Sequence, residues 1–422
     1  MHSPFEQTSP MNSERLLARF LRYVRIDTTA DDGAEAYPSS AGQFELGKLL
    51  VEELHEMGLT EAFQDERGLV HATVPATVSR VVPTVAFNAH VDTSPETTGK
   101  NVQPHVIREY GGGDIPLPGD PSKVIRVTEN PELTDLVGRT LVTTDGTTLL
   151  GADDKAGVAV IMETAAHLQE HADIPHGAVR LLFTCDEEIG RGIRHVDVPA
   201  LGAAVCYTLD GAGADDIDVE TFSADLAIVR VRGVNIHPSI AKDRMVNALR
   251  AAGEFLARIP REGMSPETTD KRQGFLHPYA IEGGVAEVTL RIILRDFDTA
   301  ALSDKAELLR KLAAEVQQEF PGVKIEVETR KQYRNLGDGL ANEPRAVEYA
   351  RQAHRRLGRE ANLTIVRGGT DGSQLTEQGL PTPNLSTGEH NPHSPLEWTC
   401  LEEMTAAAEV LVALVQVWAE SE

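Results

Sequence analysis

The 422-residue chain carries 40 Lys and Arg against 65 Asp and Glu, a formal net charge of −25, which disfavours nucleic acid and anionic membrane surfaces as partners. Its three cysteines, Cys185, Cys206 and Cys400, are an odd set without CxxC spacing, which argues against a disulfide framework or a thiolate zinc site and for a reducing compartment. MHSPFEQTSPMNSE has no apolar signal core and no run approaches the roughly 20 apolar residues of a spanning helix, so we expect a soluble, cytoplasmic protein, long enough for two domains. Met11 is a second candidate start.

Residues 1–10 are polar and expected to lack order. Ser13 then caps a helix burying Leu16, Leu17, Phe20, Leu21 and Val24, a second amphipathic helix covers about 40–57, and 70–74 has strand character. The next strand, 84–89, ends in His90-Val91-Asp92, where alternation puts imidazole and carboxylate on one side. Residues 94–136, rich in Pro, Gly and charge, are too long for an ordinary connection and read as a functional loop or an insertion. Asp145-Gly146 between β-branched runs predicts a type I′ hairpin that delivers the chain to Asp153-Asp154. That pair opens a helix with apolar spacing at Val158, Ile161, Ala165 and Leu168. It is either an N-cap with a first-turn acid or, because adjacent like charges repel, part of a divalent-cation site.

The buried strand 178–185 ends in Asp186-Glu187-Glu188, a solvated acidic turn or two carboxylates with separate tasks, one base and one ligand. Strand 204–209 ends in Asp210. Ligands of open α/β sheets bind outside the carboxyl ends of strands, so these acids converge with His90 in one crevice. His390 or His393 of GEHNPHSPLEW closes the shell. From about 212 to 331 the order reads βαββαβ, which suits a ferredoxin-like domain inserted into the first, leaving 1–211 and 332–422 as the discontinuous host. The insert places His237 in a turn and Asn247 on a helix. Arg295 ends a strand as RDFD and Arg367 opens RGGTDGSQL; each either grips a carboxylate or is a solvated edge.

The set AHVDTSP, TTDGTTLLGADDKAG, FTCDEEIGRG, TLDG, NIHPSIAKDRMVNA, RDFD, RGGTDGSQL and TGEHNPHSPLE resembles the peptidase T family of tripeptide aminopeptidases. That family lies in the di-zinc amidohydrolase superfamily with aminoacylase, glutamate carboxypeptidase and succinyl-diaminopimelate desuccinylase. The similarity covers nearly the whole chain from about Met11. It implies an α/β fold, a di-zinc peptidase catalytic domain with a mixed central sheet flanked by helices, and a ferredoxin-like lid that also dimerises. It implies two zinc ions per subunit, with cobalt or manganese as alternatives. His90 and Asp210 would hold one ion, Glu188 and His393 the other, and Asp153, followed by a cis peptide bond, would bridge them.

By the same resemblance Glu187 would be the general base, Asp92 would orient His90, and His237 from the partner subunit would stabilise the oxyanion. Arg295 and Arg367 would recognise the peptide's carboxylate end, with Asn247 counted among the substrate-binding residues. Two departures stand out: Ser239 replaces the glycine of HPGxAK, and GEHNPHSPLE differs from GxxNxHGxxE, with His390 an extra histidine. The implied function is release of the N-terminal residue from tripeptides by a two-zinc-activated water, in a homodimer. The alternative is a related di-zinc carboxypeptidase or N-acyl amino acid deacylase.

Overall fold

The computed structural model describes residues 10–421, so the expectation for the polar segment before Pro10 falls almost wholly outside the described residues. Four strands, Val179–Thr184, Val85–His90, Val205–Ala212 and Asn384–His390, lie side by side in that order and run parallel. Val85–His90 and Asn384–His390 are buried at every position, as strands covered on both faces must be. Antiparallel strands extend the sheet on either side: Val70–Val74 and Phe63–Gln64 beyond 179–184, and Trp398–Cys400, Leu141–Thr143 and His105–Ile107 beyond 384–390. The result is the mixed sheet flanked by helices that the sequence led us to expect.

Alternation along the parallel strands feeds two cores. Ala86, Leu182 and Cys206 pack with Leu201 and Leu375 on one face. Tyr207 points to the other, where its hydroxyl accepts from Trp418 Nε1 at 2.9 Å. The helix Ala152–Glu170 packs on the sheet between the helices Ser13–Tyr23 and Leu401–Glu420 and is buried along nearly all its length. Its buried Glu163 accepts from Arg15 and Arg19, and Arg19 also bonds Glu53, so the acids on this face are paired with guanidinium groups.

The hairpin expected at Asp145-Gly146 does not form. The turn is present, with Gly146 at φ +96°, but Leu141–Thr143 pairs with Trp398–Cys400 and His105–Ile107. Asp145 Oδ1 accepts from the N–H and hydroxyl of Thr147, and the Thr144 hydroxyl donates to the Thr148 carbonyl, so local side-chain bonds take groups a second strand would have used. The long 94–136 segment contains short strands at 105–107, 115–116 and 124–125 and a small core around Tyr110, Leu117, Leu133 and Trp398.

The chain divides into two units. One holds the residues up to Val219, Gly339–Thr364 and those from Thr370 on; the other holds Glu220–Asp338 and Ile365–Gly369. The first boundary lies beyond 211 because Asp216–Thr221 pairs with Asn384–His390 of the first unit's sheet, and the second beyond 331 because Lys324–Tyr333 runs past that residue. In the second unit Ser223–Arg232, Ala248–Arg258, Phe275–Gly283, Glu287–Asp296, Thr299–Glu319 and Lys324–Tyr333 follow one another as βαββαβ. The antiparallel order 275–283, 287–296, 223–232, 324–333 is ferredoxin-like, and the two helices bury Ala251, Phe255, Leu309 and Val316 against it. Among the described residues no helix is long and apolar enough to cross a membrane.

Candidate metal centre

Register brings the acids together. His90 lies opposite Thr184 and Asn88 opposite Thr208, so Asp210, two residues past Thr208, is level with His90, and Asp186–Glu188 begin two residues past Thr184 at the same edge. Asn384 on the next strand holds the Asp210 backbone from both sides, accepting its N–H at 3.0 Å and donating to its carbonyl at 2.6 Å. Asp153 reaches this edge from the start of helix Ala152–Glu170, where Gly151 is at φ +82°, the Asp153–Asp154 peptide is cis and both aspartates depart from helical dihedral angles.

His90 Nε2 lies 3.0 Å from Asp153 Oδ1 and 3.9 Å from Asp210 Oδ1. The other Asp153 oxygen is 3.2 Å from His393 Nε2, which is also 2.9 Å from Glu188 Oε2. Asp153 thus stands between His90 with Asp210 and His393 with Glu188. Asp92 ties two strands: its oxygens accept the N–H groups of Glu187 and Glu188, both at 3.1 Å, and Oδ1 is 3.4 Å from His90 Nδ1. Asp154 turns inward and accepts from the backbone of His90 at 3.0 Å and of Gly157 at 3.2 Å. A Cβ at Gly157 would stand 2.0 Å from the Leu209 carbonyl, so only glycine lets helix and strand approach this closely.

The crevice is crowded with acid. Burial, then Asp153 and Asp154, push Asp210 well above the usual carboxylate range. Burial likewise raises Glu187, with Asp371, Glu188 and Asp92 adding to it against His90, and lifts Glu188 to about 7. Burial alone would raise Asp153, but bonds to His393 and His90 outweigh it and hold its carboxyl low. Burial would lower His393, yet Asp153 and Glu188 bring it up to about 11. Protons are held here against negative crowding, a task a divalent cation performs better. Glu188 Oε1 is buried without a hydrogen-bond partner. Ligand atoms of His90, Asp153 and Glu188, of His90, Asp154 and Asp210, and of Asp153, Asp210 and Glu389 lie within 4.8 Å of one another in each set. Imidazole and carboxylate donors in such sets suit zinc and its neighbours.

The model of peptidase family M20/M25/M40 matches residues 143–417. The chain belongs to that family. It is 42% identical over 405 residues to a peptidase T of Geobacillus thermodenitrificans, covering 96% of this chain and 98% of the relative. An aminopeptidase PepT from Bacillus cereus ATCC 10987 superposes with a TM-score of 0.74 at 26% identity, covering 97% and 100% of the two chains. The fold is also that of the Bacillus subtilis YXEP protein, described as a dinuclear metal binding peptidase from the M20 family, with a TM-score of 0.63 at 16% identity and 97% and 100% coverage. The resemblance to peptidase T read from the motifs therefore holds, and this M20-family chain is a hydrolase of the aminopeptidase kind.

The second unit carries the remaining selected residues. His237 caps the short helix Pro238–Ile240; its Nδ1 accepts the Ser239 N–H at 3.3 Å and lies 2.7 Å from the Ser239 hydroxyl, which leaves the ring proton on Nε2 in the neutral form. Asn247 is not on a helix but caps one: Oδ1 accepts from Leu249 and Arg250, so the helix begins at Ala248. Arg367 donates to the carbonyls of Lys271, Gln273 and Thr269 and lies over the Phe222 ring, committed to this unit's own loops. Arg295 donates to the Arg367 carbonyl and keeps a buried Nε without a partner. Of the two late histidines His393 joins the site, while His390 stacks on Trp398 at 3.8 Å and bonds Glu403 at 2.7 Å.

Three acids at this centre escaped the sequence reading. Glu389 joins Asp153 and Asp210. Glu397 is buried and accepts the N–H groups of Leu150, Gly151 and Asp153 at 2.7, 2.8 and 3.1 Å, fixing the turn that presents Asp153. Asp371, in RGGTDG, is buried and accepts from the Thr184 hydroxyl at 2.5 Å behind the Glu187 loop. Glu397 had a signal, an acid at a fixed place in the His393 loop; an isolated Glu389 had none. Asp186, the first of the acidic triplet, bonds Ser39 and Gln43 and anchors that loop.

Proposed function

We propose that this chain is a di-metal tripeptide aminopeptidase, with His90 and Asp210 holding one cation, Glu188 and His393 the other, and Asp153 both. The observation that carries it is the placement of Asp153 between the two imidazoles, in a chain 42% identical to a peptidase T along almost its whole length. When bound, two zinc ions, or cobalt or manganese in their place, supply the positive charge that acidifies a water and polarises the peptide carbonyl. Glu187 takes the proton of the attacking water and hands it to the leaving amine. Burial raises its carboxyl, and Asp92 holds its backbone beside Glu188. His237, protonated at Nε2, donates to the oxyanion from the partner subunit, while Arg295 meets the peptide's carboxylate end. Arg367 and Asn247 support that second unit, which serves as lid and dimer contact. The three free, buried cysteines suit a reducing cytoplasm.

The test is hydrolysis of Ala-Ala-Ala beside Ala-Ala and N-acetylated tri-alanine, with metal-stripped and zinc-restored enzyme. Release of the N-terminal residue from the free tripeptide alone, and only with metal, is the expected result. Cleavage of the acetylated compound instead would make the protein a deacylase or carboxypeptidase with the same metal centre.

A further inference from the structure

Glu389 is an acid of this centre to which neither the sequence reading nor the function proposed above gives a task. Pairing between Asn384–His390 and Val205–Ala212 steps from Ser386 opposite Gly211 to Glu389 opposite Ala212, so Thr387 and Gly388 form a bulge. Gly388 sits at φ +84°, and a Cβ there would lie 3.0 Å from both Glu403 Cβ and the Met404 nitrogen. Bulges beside sites re-aim side chains. Here His390 goes to Trp398 and Glu403, and the Glu389 carboxylate goes to the crevice, within 4.8 Å of ligand oxygens of Asp153 and Asp210. Among the described residues this buried carboxylate takes one hydrogen bond, from the Thr387 hydroxyl at 3.3 Å, and no ion pair. Three carboxylates thus converge where His90 and His393 are the cationic partners of Asp153, and neither pairs with Glu389.

We propose that Glu389 is a further ligand of the cation held by His90 and Asp210, so that the two metal positions are unlike. Resting on the metal centre proposed above, one position is lined by an imidazole and the carboxylates of Asp153, Asp210 and Glu389, the other by an imidazole and those of Asp153 and Glu188. Oxygen donors suit harder cations. The Glu389 position therefore accepts manganese more readily than its neighbour.

The experiment is titration of the metal-stripped enzyme with Zn2+ and, separately, Mn2+ against a chromophoric chelator, for the parent, Glu389→Gln and Glu389→Asp. The parent is expected to bind two ions. Glu389→Gln is expected to weaken one of them by about tenfold or more, with a larger loss for manganese, and to leave the other unchanged. Glu389→Asp, which keeps the charge on a shorter arm, is expected to show the same loss. Unchanged affinities in Glu389→Gln overturn the proposal, and so does full affinity in Glu389→Asp, which would leave charge without coordination. Melting of the metal-free variants guards against misfolding: Glu389→Gln replaces a buried acid that takes a single 3.3 Å hydrogen bond and is expected to melt no lower than the parent. A lower melting point with metal affinity intact makes Glu389 structural and overturns the proposal. A parent that binds fewer than two ions, or an Asp153→Ala variant that still binds two, overturns the metal centre itself, which is a different result from either.

Discussion

Glu187 and Glu188 hang from one support, since Asp92 takes the N–H of each, yet their surroundings differ. Glu188 faces His393 at 2.9 Å, whereas Glu187 sits among Asp371, Glu188 and Asp92 and holds its proton well above the usual range. Replacing Glu187 with Gln keeps its shape and removes the base. Turnover should fall by about 10²–10⁴-fold while both cations remain bound. Asp153→Ala should lose metal and activity together. Turnover near the parent's in Glu187→Gln, with metal content measured alongside, would remove the base assignment. The placement of Glu187 and Glu188 at this edge was legible because consecutive acids at a strand end suggest either a solvated turn or carboxylates with separate tasks. Glu389 was not, because its direction comes from a bulge and a positive φ at Gly388, neither visible in a single acid between Gly and His. The choice between His390 and His393 likewise waited on the Trp398 ring that captures the former.

At the scale of elements, the helix Ala152–Glu170 is what fixes Asp153, and its first turn is held from outside. Glu397 occupies the place of a bound anion at a helix N-terminus, collecting three backbone N–H groups. An amide there presents one oxygen in place of two and turns its own N–H groups on those donors. Glu397→Gln should cost about 1–3 kcal/mol of stability in denaturant melts. Because the turn carries Asp153, the shared ligand proposed above, metal affinity should fall with it, while KM for a tripeptide moves less than kcat. Unaltered metal affinity in a folded Glu397→Gln protein would show that the turn holds without its anion. The helix itself and the βαββαβ order of the second unit were legible, since long apolar periods survive tertiary context. The Asp145-Gly146 hairpin was not, because turn chemistry fixes the bend and says nothing about which strand pairs with Leu141–Thr143.

For the molecule as a whole, the fold gathers acids that water would otherwise solvate. Asp154, Asp210, Glu187 and Glu389 are all pushed well above the usual range, with burial the largest cause, and Glu188 and Glu397 are brought to about 7. A carboxyl raised on folding stabilises the fold fully below its unfolded value and loses that contribution as pH climbs through the folded one. Metal-free protein should therefore melt progressively lower between pH 6 and pH 8. His393, brought from the ordinary imidazole value up to about 11, adds to the same fall above its unfolded value, and Asp153, held low, is ionised across the interval. Cations bind the deprotonated donors and expel protons, so the gain in melting temperature on adding zinc should grow with pH over the same interval. Repulsion among surface acids, in a chain whose formal net charge is −25, also makes stability fall with pH, and salt separates the two causes. Screening at high ionic strength quiets surface repulsion but reaches buried carboxylates poorly. A pH slope that persists in high salt and vanishes with zinc belongs to the crevice, whereas a slope abolished by salt alone would mean that these acids ionise without cost.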